Sequence, residues 1–192
     1  MTETALQHHQ EKSLFGFWVY LMTDLLMFAA LFATFAVLRN STFGGSSGKE
    51  LFSLPFVLAE TLILLTSSFT CGLGMIAVHN LEKNKVIAWF SVTFFLGVSF
   101  LTLELTEFSK LVAEGNSPQR SAFLSSFFTL VGTHGLHISV GLLWIFILMI
   151  FIVRKGLTPH NIQKLTYLSW FWHFLDLVWI FIFTIIYLLA KV

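Results

Sequence analysis

Apolar residues along this chain come in five long runs, at about 14–38, 54–78, 86–108, 122–153 and 167–190. Each run exceeds the roughly 20 residues that a helix needs to cross about 30 Å of hydrocarbon. None alternates with the period of two expected of a barrel strand, and a helix satisfies its backbone hydrogen bonds within its own segment. The pattern predicts an all-α integral membrane protein, a bundle of five transmembrane helices. They form one domain over about residues 14–192, behind a polar N-terminal segment, 1–13. The fourth run would be roughly 48 Å long as a helix, so it is expected to tilt or to project from the bilayer.

Between the runs lie short polar connections: "RNSTFGGSSGKELFS", "HNLEKNK", "SKLVAEGNSPQR" and "RKGLTPHNIQK". None is long enough for a soluble domain. The N-terminus, "MTETALQHHQEKS", lacks the basic start and cleavage site of a signal peptide, so the first apolar run is expected to be retained. No internal repeat of the kind found in many secondary transporters is visible.

Composition agrees with the pattern. The chain is 56% hydrophobic and 17% aromatic, and only 11% of residues are charged. Soluble domains carry about 25% charged residues. A net charge of +1 argues against nucleic acid as a partner. The single cysteine, Cys71, excludes an internal disulfide and disfavours a thiolate metal cage. Five crossings place the termini on opposite sides. Lys12, Lys83, Lys85, Arg154, Lys155 and Lys164 fall on one side; Arg39, Lys49, Lys110, Arg120 and Lys191 fall on the other. This slim excess predicts a cytoplasmic N-terminus and an outer C-terminus.

The placement of charge changes the picture more than its sum. No Lys or Arg lies inside a span, yet Asp24, Glu60, Glu104, Glu107 and Asp176 do, together with His134, His137 and His173. An ionised carboxylate near mid-membrane costs about 2.5–3.5 kcal/mol even on the lenient insertion scale. These acids must be protonated, or paired with imidazoles, hydroxyls or neighbouring protein. Glu104 and Glu107 share a helix face, as do His134 and His137, and His173 and Asp176; Tyr20 and Asp24 are one turn apart. The third and fourth helices are expected to be neighbours, with Glu104 or Glu107 hydrogen-bonding His134 or His137. Asp24 is expected to reach Tyr20 or a histidine such as His173.

Three chemistries suit such stripes. Interhelical hydrogen bonds would lock the bundle; proton handling or a lipid-headgroup site would use the same groups; metal or haem ligation is the third. A di-iron bundle would show Glu-x-x-His twice, whereas this chain has Glu-x-x-Glu, His-x-x-His and His-x-x-Asp. No metal or redox cofactor is therefore expected. Arg154 and Lys155, where the fourth run leaves the membrane, could hold phospholipid headgroups. In "WFWHFLDLVW", Trp170 and Trp172 fall near the start of the last apolar run, where an interfacial aromatic belt is expected.

The stretch "GTHGLHISVG" followed by "WFWHFLDLVWIFIFTIIYLL" resembles subunit III of the haem–copper terminal oxidases. "FGFWVYLMTDLLMFAALFATFAVL" and "FLTLELTEF" are similar to the family's other helices, in order, from about residue 14 onward. Five helices, with "GGSSGKELFSLPFVLAETLILL" after the first, are most like the family's bacterial ubiquinol-oxidising branch. The resemblance implies a non-catalytic subunit of a proton-pumping enzyme that reduces oxygen to water in the inner membrane. In that family the haems and copper sit in subunit I, on which subunit III packs; it binds lipid and supports proton uptake and sustained turnover. Asp24 stands where the family usually has Glu, one methylene longer. Glu107, His134, His137, His173 and Asp176 match motif positions directly. From the residues alone two other functions stay open, a small proton- or cation-coupled transporter and a haem-bearing membrane anchor. Within the resemblance, subunit III of a cytochrome c oxidase is the alternative.

Overall fold

A computed structural model of the chain describes residues 3–42 and 54–188, with side chains from residue 11 onward. Most of the Gly/Ser connection, with Lys49, and the C-terminal Lys191 lie outside the described residues. Five helices follow in order: α1 (Glu3–Leu38), α2 (Leu54–His79), α3 (Lys83–Ala113), α4 (Ala122–Lys155) and α5 (Pro159–Ile182). A π-helical turn, Phe183–Leu188, continues α5. All five helices are long and apolar enough to cross a membrane, and the described residues contain no strand.

The helices outrun their apolar segments. α1 begins in the polar N-terminal stretch, and α5 starts eight residues before the apolar run at 167, at Pro159. Proline at the first helical position loses no hydrogen bond there. Thr158 caps that end, its Oγ1 accepting from Asn161 N at 3.3 Å. α4 starts on Ser121, whose hydroxyl accepts from Leu124 N at 3.2 Å, and stops at Gly156, whose φ of 73° is open to glycine. The α2–α3 turn is tight enough to hold Leu81 at φ 58°. Next to it, Lys83 Nζ donates to Val153 O at the end of α4, at 3.0 Å. That bond ties the second polar connection to the fourth, on one side of the membrane.

α2, α3, α4 and α5 form a ring in which each packs on the next and α5 closes back on α2; α1 lies outside, against α4 and α5. Glycines set the closest approaches. A Cβ at Gly97 would lie 2.8 Å from Leu142 and 2.9 Å from Trp172; at Gly141 it would lie 2.9 Å from the same indole. Trp172 therefore fills a slot between α3 and α4 that only glycine leaves open. This corrects the interfacial reading of Trp172. Because α5 begins at Pro159, Trp172 lies several turns inside and is fully buried, while Trp170 is exposed.

Candidate functional site

The predicted polar residues gather in three places, all between helices. At the first, α1 meets α4. Asp24, which is 8% exposed, has Oδ2 3.7 Å from His137 Nε2. His137 Nδ1 lies 2.7 Å from Thr133 O. A carbonyl oxygen only accepts, so Nδ1 carries the proton. In a neutral ring Nε2 can then only accept. Asp24 thus meets both kinds of partner expected of it: Tyr20 hydrogen-bonds its carboxyl group, and the histidine beside it is His137 rather than His173.

The second place lies between α2 and α5, which run antiparallel. Trp179 Nε1 donates to Thr61 Oγ1 at 3.0 Å, and two turns along Trp172 Nε1 donates to Ser67 Oγ at 3.2 Å. Ser67 in turn donates to Thr93 O on α3 at 3.1 Å, and Thr70 and Thr93 hydroxyls lie 2.9 Å apart. Ser68 Oγ lies 2.6 Å from His173 Nδ1. Asp176 sits one turn beyond His173. These hydroxyls were not singled out from sequence. The spacing carries only a loose signal: Thr61 and Ser67 are six apart on α2, and their partners Trp179 and Trp172 are seven apart on α5, so the two pairs meet about two turns apart.

The third place is the interior of the ring. Glu104 is flanked by Glu60 and Glu107, and Tyr187 in the π-helical turn donates its hydroxyl to Glu107 Oε2 at 3.3 Å. Glu60 is fully buried. Both its oxygens, Glu104 Oε2 and both ring nitrogens of His134 lack hydrogen-bond partners among the described residues. The expected bond from Glu104 or Glu107 to His134 or His137 is not formed, although α3 and α4 are neighbours. Glu104 meets α4 at Gly135, where its Oε1 is 2.6 Å from the position a Cβ would take. His134 turns instead into an aromatic cage. It stacks on Trp179 at 5.2 Å, with Phe100 edge-on at 6.0 Å and Phe28 at 6.4 Å.

Outside these clusters Arg154 and Lys155 are exposed at the end of α4, and Lys155 Nζ lies 5.8 Å from the Phe151 ring centroid. Among the described residues no three His, Cys, Asp or Glu side chains gather as a metal-ligand set. The geometry defines the class of molecule: a small multi-spanning membrane bundle whose hydroxyls, indoles and an imidazole bond helix to helix around a buried cluster of acids.

Comparison with known proteins narrows that class. Residues 4–191 match the family described as cytochrome c oxidase subunit III, and the chain belongs to that family. It is 58% identical to the cytochrome bo(3) ubiquinol oxidase subunit 3 of Pseudomonas aeruginosa, over 93% of this chain and 86% of that protein. It is 46% identical to the cytochrome c oxidase subunit 3 of a Bacillus species, over 92% and 86%. To the quinol oxidase subunit 3 of Bacillus subtilis it is 45% identical, over 93% and 87%. The chain is thus a non-catalytic subunit of an oxidase complex, and the redox cofactors belong to subunit I.

Proposed function

We propose that this chain is subunit III of a proton-pumping ubiquinol oxidase in a bacterial inner membrane. There it packs on the haem-bearing subunit I, holds phospholipid and supports proton uptake through many turnovers. The observation that carries the choice of donor is the identity of 58% with a ubiquinol oxidase subunit, against 46% with a cytochrome c oxidase subunit. The role itself is one of support. The hydroxyl–indole bonds between α2 and α5 give the ring a fixed geometry on which a larger subunit can rest. The Asp24–His137 pair, between the outer helix α1 and α4, supplies two titratable groups for the proposed support of proton uptake. Arg154 and Lys155 offer cationic groups to lipid phosphates at the cytoplasmic surface.

The test is to tag the chain, extract it in mild detergent and examine what accompanies it. Haem absorbance and oxidation of a ubiquinol analogue in the purified material are the expected results. Oxidation of reduced cytochrome c in place of quinol would move the chain to the cytochrome c branch. A chain that purifies alone would favour an independent transporter.

A further inference from the structure

A groove of about 470 Å³ runs along the outer seam of α2 and α5, from Leu65 to Ile76 on the α2 side, with His173 and Asp176 on the α5 side. Two of its properties are unusual for a surface set in hydrocarbon. His173 is exposed there. Asp176 also lines it, its carboxyl group hydrogen-bonded to Ser68 and its Oδ1 buried without a hydrogen-bond partner among the described residues. Ser68 already occupies His173 Nδ1, so Nε2 is the ring nitrogen left for an occupant. Ser68 lies near the middle of α2 and His173 near the middle of the span that α5 and its π-helical turn make. Both are therefore near the bilayer centre, about 15 Å from either headgroup layer. Phospholipid headgroups do not reach that depth. Acyl chains reach it but offer neither donor nor acceptor, and unsatisfied polar groups in hydrocarbon are costly.

The groove's shape indicates what does reach it. Its α2 wall is the series 65, 68, 69, 72, 73, 76, a straight stripe at helical spacing, so it receives a rod lying along the helix axis. At its middle is Gly72, where a Cβ would meet nothing within 4 Å; the backbone there is open to close approach. Phe69 and Ile76, 67% and 59% exposed, rim it with apolar surface. We propose that this groove is the docking site for a transmembrane helix of another subunit of the oxidase, which lies along α2 over Gly72 and hydrogen-bonds the exposed Nε2 of His173 with a polar side chain. The proposal rests on the assignment of the chain to an oxidase complex and specifies which face of it is covered.

The experiment uses the assembled complex in native membranes. A photo-crosslinking phenylalanine analogue replaces Phe69, and the adducts are identified by mass spectrometry. The expected product joins this chain to a transmembrane helix of another oxidase subunit, within about one turn of a Ser, Thr, Asn, Gln, Tyr, Asp or Glu. Gly72→Leu is the companion variant. Its Cβ meets no other atom of the chain within 4 Å, and the rest of its side chain fills the groove, so the docking helix is displaced. Co-purification of the other subunits should fall on the order of tenfold, about the effect of one lost interhelical hydrogen bond with its packing. Adducts only to phospholipid, to quinone or to a second copy of this chain, in an intact complex, would overturn the docking site and leave the subunit assignment standing. Unchanged co-purification of Gly72→Leu would do the same. Failure of the unmodified chain to bring down any haem protein would overturn the assignment itself, and the docking site with it.

Discussion

Single residues in this bundle act through the bonds they can make without water. Trp179 shows the balance. Its ring fills the core beside His134 and Phe100, and its one donor finds Thr61 on the neighbouring helix. Thr61→Val keeps the volume and removes the acceptor, leaving the indole N–H buried and unpaired. Interhelical hydrogen bonds in membranes average about 0.6 kcal/mol, with a maximum near 1.7. Thr61→Val should therefore cost stability in that range, read as a small drop in the thermal midpoint of the detergent-solubilised chain, without loss of fold. Asp24 faces a different test. With His137 Nδ1 committed to Thr133 O, a neutral ring presents only an acceptor toward Asp24. Asn preserves the size and can donate to Nε2, but it cannot ionise. Asp24→Asn should assemble with a normal haem spectrum and near-normal initial quinol oxidation, and any defect should emerge as faster loss of activity over many turnovers. A block of the first turnover in a fully assembled complex would make Asp24 part of an obligatory proton path and would end the supporting role proposed for it.

Elements are held together by what their glycines admit. Gly141→Ala drives a methyl into the rigid indole of Trp172, which is already hemmed in by Gly97 on α3. Overpacking of this kind costs about 1–3 kcal/mol. Gly72→Ala meets nothing and should be neutral in the isolated chain. A thermal-shift comparison of the two in one detergent checks the contrast, and equal midpoints would contradict the slot geometry. The same elements show what sequence could reveal. Helix number and order were legible because 20-residue apolar runs have few alternatives. The start of α5 was not, because Pro159 and its cap begin the helix in polar sequence that hydropathy leaves out. The hydroxyl partners were hidden because a serine or threonine in a helix usually bonds its own preceding turn. Thr66, Ser91, Thr106 and Thr129 all do so, and nothing local marks Thr61 or Ser67 as the ones that also reach across. For the glutamates and histidines, spacing showed which residues share a helix face. It could not say that Glu104 would abut the Gly135 backbone while His134 turned to the aromatic rings, because i,i+3 spacing fixes a face and not a partner.

At the scale of the whole molecule, the side on which each connection lies follows from the basic residues and from how the helices are tied. Six basic residues against five is a slim bias, and Lys49 and Lys191 on the outer side fall among residues that the structure does not describe. The fold adds an internal constraint. Lys83, in the α2–α3 turn, bonds Val153 at the end of α4, so the second and fourth connections share a side whichever side that is. The α3–α4 connection, which begins at Gly115 with φ 81° and ends at Ser121, must then lie on the opposite surface, at the far end of α3. Lys83, Lys85, Arg154, Lys155 and Lys164 all belong to the first of these surfaces, and Lys12 joins them there, at the start of the first apolar run. Positive residues in short connections favour the cytoplasm. Cysteines introduced at Asn84 and at Ser117 should therefore report opposite sides in intact cells, with Ser117 reacting with an impermeant maleimide and Asn84 reacting only after the membrane is opened. Native Cys71 is buried and adds little background. Labelling of Asn84 from outside, with Ser117 protected, would invert the orientation and place Arg154 and Lys155 at the outer surface. Labelling of both from one side would break the odd number of crossings between them, and with it the five-helix topology.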